Sequence, residues 1–227
     1  MSKPLKVGLM VPANNTTMEG ELLAWLPAGS TCRTIKIPRG AGMLTRETMP
    51  AYRDNALRLA EGFREDGLDV LAYGCTAAGF ISGPQGDAEL SAALSGMLGV
   101  PVVTTARGMV RALQSDGARE IAVVTPYLDP VNRQLEDFLA DGGIRVRRLD
   151  SFRAPDTDTL GRITADQVRE LALKTMGRDC DALFIGCSQL PTHAILDGLA
   201  AHFGKPAWSS IKATAWDAQR VTTPVPA

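Results

Sequence analysis

Cys75 and Cys187 stand in the same local setting, once in each half of the 227-residue chain. The run Asp69-Val70-Leu71-Ala72-Tyr73-Gly74-Cys75-Thr76 is echoed by Asp181-Ala182-Leu183-Phe184-Ile185-Gly186-Cys187-Ser188. Each is an acid, an apolar stretch, then glycine, cysteine and a hydroxyl residue. Two thiols brought to one cleft can deliver a nucleophile and a proton. They can equally take a proton from one face of a carbon and return one to the other face. Neither chemistry needs a cofactor, and none is expected.

A free cysteine taken alone is most often a small buried hydrophobe. The matched setting favours function instead. A strand-to-helix turn brings backbone N–H groups to the sulfur, which is expected to lower the thiol below its ordinary pKa of about 8.5. The same N–H groups, with Thr76 and Ser188, can hold a carboxylate. The glycine before each thiol is expected to leave room for substrate to approach the backbone. Asn15, Thr16 and Thr17 suit a helix cap, with spare donors turned outward. Tyr127 occupies the corresponding place in the second half: Asn15 and Tyr127 follow the paired prolines Pro12 and Pro126.

These residues need a scaffold. Strands are expected near 5–11, 31–37, 69–75, 100–104, 119–125, 144–149, 181–187 and 206–209. Helices are expected near 17–26, 48–66, 86–98, 106–116, 130–141, 164–178, 192–203 and 211–219. Strand–helix alternation with near-continuous apolar strands predicts parallel sheets covered on both faces. Two further segments repeat in order: Val7–Pro12 with Ile121–Pro126, and Gly99–Thr105 with Gly204–Ser210. The fold class is therefore α/β, as two pseudo-symmetric doubly wound parallel-sheet lobes, 1–105 and 106–209, with the site between them. A terminal helix within 210–227 is expected to pack back on the first lobe. Ligands of such sheets bind outside the carboxyl ends of the strands, where the polar punctuation falls.

Composition narrows the class. Hydrophobic residues make up 45% and formal net charge is −1, enough for a core and without the basic footprint of a nucleic-acid binder. No apolar run reaches membrane-spanning length. The start runs directly into a strand rather than resembling a signal peptide, so the cytoplasm is expected, with Cys32, Cys75, Cys180 and Cys187 reduced. The expected partners are a small carboxylate substrate and other copies of the chain, as a dimer or tetramer. Arg39-Gly40-Ala41-Gly42 lacks the third glycine of a dinucleotide fingerprint; it is read as a loop offering Arg39 or Arg46 to an anion. His193 and His202 lack metal-ligand spacing with the cysteines, and no nucleophile-elbow motif is present. Asp69 and Asp181 are read as turn residues.

With Val11-Pro-Ala-Asn-Asn15-Thr-Thr-Met-Glu19, Tyr73-Gly-Cys75-Thr76, Thr125-Pro-Tyr127 and Gly186-Cys187-Ser-Gln-Leu-Pro191, the chain resembles the aspartate/glutamate/hydantoin racemase superfamily. Within it, the resemblance is to maleate cis–trans isomerases and their relatives the arylmalonate decarboxylases. It covers nearly the whole chain. Arylmalonate decarboxylases keep only the second-lobe cysteine, so Cys75 points to the isomerase branch. The resemblance implies Cys75 as nucleophile on an alkene carbon and Cys187 as acid/base. It implies Asn15 and Tyr127, helped by Thr76 and Ser188, as carboxylate ligands. The isomerases place a further carboxylate-binding asparagine in the loop that here reads Arg153-Ala-Pro-Asp156-Thr-Asp158-Thr159. Two aspartates there, and the apolar Ala77-Ala78-Gly79-Phe80, leave open an acid bulkier than maleate or with one carboxylate. The alternatives are a racemase of an amino acid or hydantoin, a decarboxylase, and a non-catalytic acid binder.

Overall fold

The computed structural model describes residues 3–39 and 42–223. The first two residues, the centre of the Arg39–Gly42 segment and the last four positions of the 210–227 span lie outside them. Eight parallel strands form two four-stranded sheets. The first has β1 (Lys6–Pro12), β2 (Thr31–Ile37), β3 (Val70–Tyr73) and β4 (Val102–Thr104) in the order β2-β1-β3-β4. The second has β5 (Glu120–Thr125), β6 (Arg145–Ser151), β7 (Ala182–Ile185) and β8 (Ala207–Ser209) in the order β6-β5-β7-β8. The internal repeat is thus a repeat of topology.

Sequence explains which strands sit inside. All four residues of β3 and of β7 are buried, as continuous apolar runs covered on both faces must be. Charged β2 (TCRTIKI) and β6 (RVRRLDS) each form one edge of their sheet, opposite the short β4 and β8, where charge blunts unwanted pairing. Asp69 and Asp181 play one structural part. Asp69 accepts from the Lys6 N–H at 2.8 Å, and Asp181 from the Glu120 N–H at 2.8 Å. Each ties the entry of an inner strand to its neighbour. At the far end the Gly74 N–H reaches Met10 O at 2.7 Å and the Gly186 N–H reaches Val124 O at 2.8 Å. Both cysteines therefore sit just beyond their strands, at the carboxyl edges.

The helices are α1 (Met18–Trp25), α2 (Met49–Ala60), α3 (Thr76–Ile81), α4 (Gly83–Leu98), α5 (Thr105–Ser115), α6 (Asp129–Asp141), α7 (Thr157–Gly161), α8 (Ala165–Thr175), α9 (His193–Phe203) and α10 (Ser210–Thr222). Two were not expected, α3 and α7. The helix expected over 48–66 ends at Ala60 and tightens into a 3-10 turn over Glu61–Phe63. The halves also differ: Cys75 leads directly into α3, whereas six residues separate Gly186 from α9.

Corresponding helices close the two sheets. Thr104 caps α5 by accepting from the Arg107 N–H at 3.2 Å, and Ser209 caps α10 by accepting from the Lys212 N–H at 3.1 Å. α10 crosses to the first sheet, where Ile211, Ala215 and Ala218 are buried with Val7, Leu9 and Leu22. The fully buried Asp217 carboxylate holds Arg111 of α5 at 2.9 Å. α3 crosses α5 so closely that a Cβ on Gly79 would lie 2.5 Å from Ala106 Cβ. Gly79→Ala is expected to destabilise by about 1–3 kcal/mol through overpacking. Gly96, in α4 with open space around it, is the control: Gly96→Ala is expected to stabilise by up to about 1 kcal/mol. Urea denaturation of the two variants checks both signs.

Candidate active site

The carboxyl ends of both sheets face one pocket enclosing about 610 Å³ of empty space, its mouth included. Asn15, Cys75, Thr76, Tyr127, Cys187 and Ser188, expected at the site, all line it, whereas Thr16 and Thr17 do not. Cys32, Cys180 and Arg46 are not among the lining residues, and Arg39 is. His193 packs edge-on against Trp25, and His202 against Phe203. Among the described residues no cluster of three His, Cys, Asp or Glu side chains is arranged to hold a metal.

Cys75 is the residue from which α3 starts, in extended conformation and 5% exposed. Burial pushes its thiol up to about 11, because a thiolate loses its water here. The Ala78 N–H and the Tyr52 hydroxyl pull the other way, Cys187 opposes ionisation, and Arg39 favours it. Burial likewise raises the Cys187 thiol, against the Gln189 N–H, the Tyr127 hydroxyl and the Leu190 N–H. The expected lowering by the turn is thus outweighed by desolvation: both residues rest as thiols at neutral pH. Only Cys75 has the strand-to-helix setting. Cys187 instead holds a positive φ of 155°, a region costly for any residue with a Cβ. Its N–H donates to Ser210 Oγ at 3.0 Å, and its Sγ accepts from the Gln189 N–H at 3.4 Å.

The segment after β1 does more than line the pocket. Asn15 Oδ1 accepts from the N–H groups of Thr17 and Met18 at 3.1 and 3.0 Å, which caps α1. Asn15 Nδ2 donates to Ser188 O at 3.0 Å and Ser188 Oγ at 3.2 Å. The amide expected to meet substrate is therefore occupied across the lobe boundary. Ser188 Oγ in turn donates to Gly74 O at 2.6 Å, beside Cys75. Thr16 and Gln189 exchange two hydrogen bonds, and Thr17 Oγ1 donates to Gln189 O at 2.9 Å. Glu21 closes the seam by accepting from the Thr192 N–H at 2.7 Å and hydroxyl at 2.8 Å. Gly74 is small for packing rather than for substrate: a Cβ there would lie 2.5 Å from Met18 Sδ and 2.8 Å from Val11 Cγ1.

Unspent polar groups lie next to both thiols, where a ligand that pairs with them is favoured, since a buried donor without a partner costs about 1–3 kcal/mol. Thr76 Oγ1 and the Tyr52 and Tyr127 hydroxyls are buried without a completed hydrogen bond. Tyr127 is held from behind. Its carbonyl accepts from Asn132 Nδ2 at 3.0 Å and Ser151 Oγ at 2.5 Å, and its ring meets Phe80 edge-on. Its hydroxyl lies beside Cys187 and Thr76, as the Tyr52 hydroxyl lies beside Cys75. Each thiol thus has its own phenol. Sequence reasoning missed Tyr52, although it shares one face of α2 with Met49, Ala56 and Ala60; on that face its ring reads as core, and its polar tip gives no separate signal. The loop 153–159 contributes no lining residue. Asp156 is spent capping α7 through the Thr159 N–H at 2.7 Å, and Leu160, the next residue, lines the pocket.

Two predictions follow from this geometry. Because burial pushes the folded thiol of Cys75 up to about 11, proton release lags behind that of a free thiol. Its alkylation by iodoacetamide is expected to be slow at pH 7–8 and to climb toward about pH 11, followed by peptide mass mapping. Asn15→Asp keeps the cap acceptor but loses both donations to Ser188. It is expected to cost about 1–3 kcal/mol in urea denaturation, with a carboxylate left facing two oxygens.

A maleate isomerase from Geobacillus stearothermophilus is 26% identical over 95% of this chain and 91% of its own length. An arylmalonate decarboxylase from Bordetella bronchiseptica is 26% identical over 80% and 77%. Among solved structures, the maleate cis-trans isomerase of Nocardia farcinica bound to TRIS superposes with a TM-score of 0.88 at 23% identity, covering 96% of this chain and 92% of that one. A mutant of the same enzyme, described with a covalently bound succinylcysteine intermediate, gives 0.87 at 23% identity over 96% and 93%. The two-lobed fold is therefore shared. The family model described as arylmalonate decarboxylase matches residues 7–225, and the chain belongs to that family.

Proposed function

We propose that the chain is a cofactor-independent isomerase of a small unsaturated dicarboxylate, of the maleate-to-fumarate type. The observation that carries this is the pair of buried thiols lining one pocket, each with a tyrosine hydroxyl beside it. In this reading Cys75 first loses its proton to solvent and then, as thiolate, adds to one alkene carbon. The π electrons move toward the carboxylate on the other carbon, and Thr76 and Tyr127 hold the charge that develops there. The Cys187 thiol gives its proton to that carbon, leaving a succinyl thioether on Cys75. The former double bond is now single and turns. Cys187 then takes the proton back, the C–S bond breaks, and the trans alkene leaves with both sulfurs restored. Asn15 and Ser188 keep the two halves of this machine in register and border the substrate. The succinylcysteine described for the Nocardia relative is the species this route would form, and a relative described as a maleate isomerase aligns along 95% of the chain.

A second reading has its own observation. Met43, Leu44, Val131 and Leu160 give the pocket an apolar wall. Such a wall suits a substituted malonate losing carbon dioxide, with Cys187 protonating the resulting carbanion and Cys75 unused.

Intact-protein mass spectrometry with proton NMR after incubation with maleate separates the readings. Isomerisation is expected to yield fumarate and a one-substrate adduct mapping to Cys75. Cys75→Ser should abolish both; Cys187→Ser should slow turnover about 10²–10⁴-fold and let the adduct accumulate. Cys32→Ser and Cys180→Ser, away from the pocket, should keep near-normal rates. An unmodified protein without fumarate sinks the proposal; carbon dioxide from phenylmalonate would then support the second reading. Deuterium entering a chiral acid from solvent, with loss of optical activity, would support a racemase. Since burial raises both thiols, kcat/KM is expected to rise with pH from 7 to 9.

A further inference from the structure

Arg39 follows β2 by two residues, so it stands at the carboxyl edge of the first sheet, beside the end of β1. It is the one charged side chain among the residues lining the pocket. Its Nη2 is buried and hydrogen-bonded to nothing among the described residues. Met43 and Leu44 flank it from the same loop, and Leu160 comes from the other lobe. A guanidinium presents donors in a planar fork that matches a carboxylate. In apolar surroundings its attraction for an anion is stronger than in water, and a buried donor left unpaired is unfavourable. The 153–159 loop offers no amide to a second carboxylate, and its two aspartates stay out of the pocket. The positive end of the site therefore comes from the first lobe.

We propose that Arg39 is a substrate ligand that takes the second carboxylate of a small dicarboxylic acid, opposite the Thr76 and Tyr127 hydroxyls that take the first. This rests on the isomerase reading for the chemistry but not for the binding. It makes the site selective for diacids over their half-amides, with the carbon frame lying against Leu44 and Leu160. Arg39 also acts at a distance on the thiols, because its charge favours the ionised form of both Cys75 and Cys187.

The test is calorimetric binding of succinate, an unreactive diacid, and of succinamate, its half-amide, to the wild type, Arg39→Gln and Arg39→Lys. Wild type is expected to prefer succinate. Arg39→Gln should weaken succinate binding by about 10- to 100-fold and erase the preference, with thermal stability unchanged. Arg39→Lys, which keeps charge but loses the fork, should fall between them. Succinate binding within twofold of wild type in Arg39→Gln overturns the proposal, as does a wild type that fails to prefer the diacid. Maleate turnover measured in parallel keeps the two ideas apart. Turnover with Arg39-independent succinate binding removes the role of Arg39 and leaves the isomerase. Arg39-dependent succinate binding without turnover removes the isomerase and leaves the diacid site.

Discussion

The hydrogen-bonded seam between residues 15–21 and 188–192 is the constraint on which the rest depends. Each thiol has a tyrosine from its own lobe, but the other thiol reaches it only from the opposite lobe. At their common pocket Asn15, Thr16, Thr17 and Glu21 bind Ser188, Gln189 and Thr192, which fixes one lobe against the other beside the thiols. The seam uses side-chain amides, hydroxyls and a carboxylate against backbone groups and against one another, so it is directional as well as adhesive. A sliding of one lobe by a single residue would break most of these bonds at once. Asn15 is the centre because its two ends do different jobs, with Oδ1 starting α1 and Nδ2 reaching the other lobe.

Much of this was legible before any coordinates. Period and apolar runs located all eight strands, and the repeated Gly-Cys segments anticipated two matched sheets meeting at one pocket. What escaped depends on tertiary context. α3 and α7 are six and five residues long, too short to show a period. Gly74 looked like space for a ligand, yet the atoms that need the space are Met18 and Val11, distant in sequence. Asn15 looked like a spare donor, and only the partner lobe shows it to be spent. Tyr52 lies on a helix whose apolar face hides one hydroxyl.

The ionisation of the thiols was misjudged for a general reason. Sequence can show N–H groups near a sulfur but not how dry the surroundings will be. Here the pocket walls are largely side-chain carbon, and the loss of water outweighs the dipoles. The same dryness makes the site unreactive toward casual electrophiles while raising the intrinsic strength of the thiolate once formed, since nucleophilicity grows with basicity.

The crossing of α10 carries a consequence for how the molecule is made. Val7, Leu9 and Leu22 of the first sheet and its helix are covered partly by Ile211, Ala215 and Ala218. That cover is translated after both sheets. On a ribosome the first half therefore emerges with an apolar face that nothing yet synthesised can shield. The early segment has to wait, loosely folded or in the care of a chaperone, until the late helix arrives. Cys187 and the other second-lobe residues of the pocket also come late, so a nascent chain cannot display paired thiols before its second half is in place.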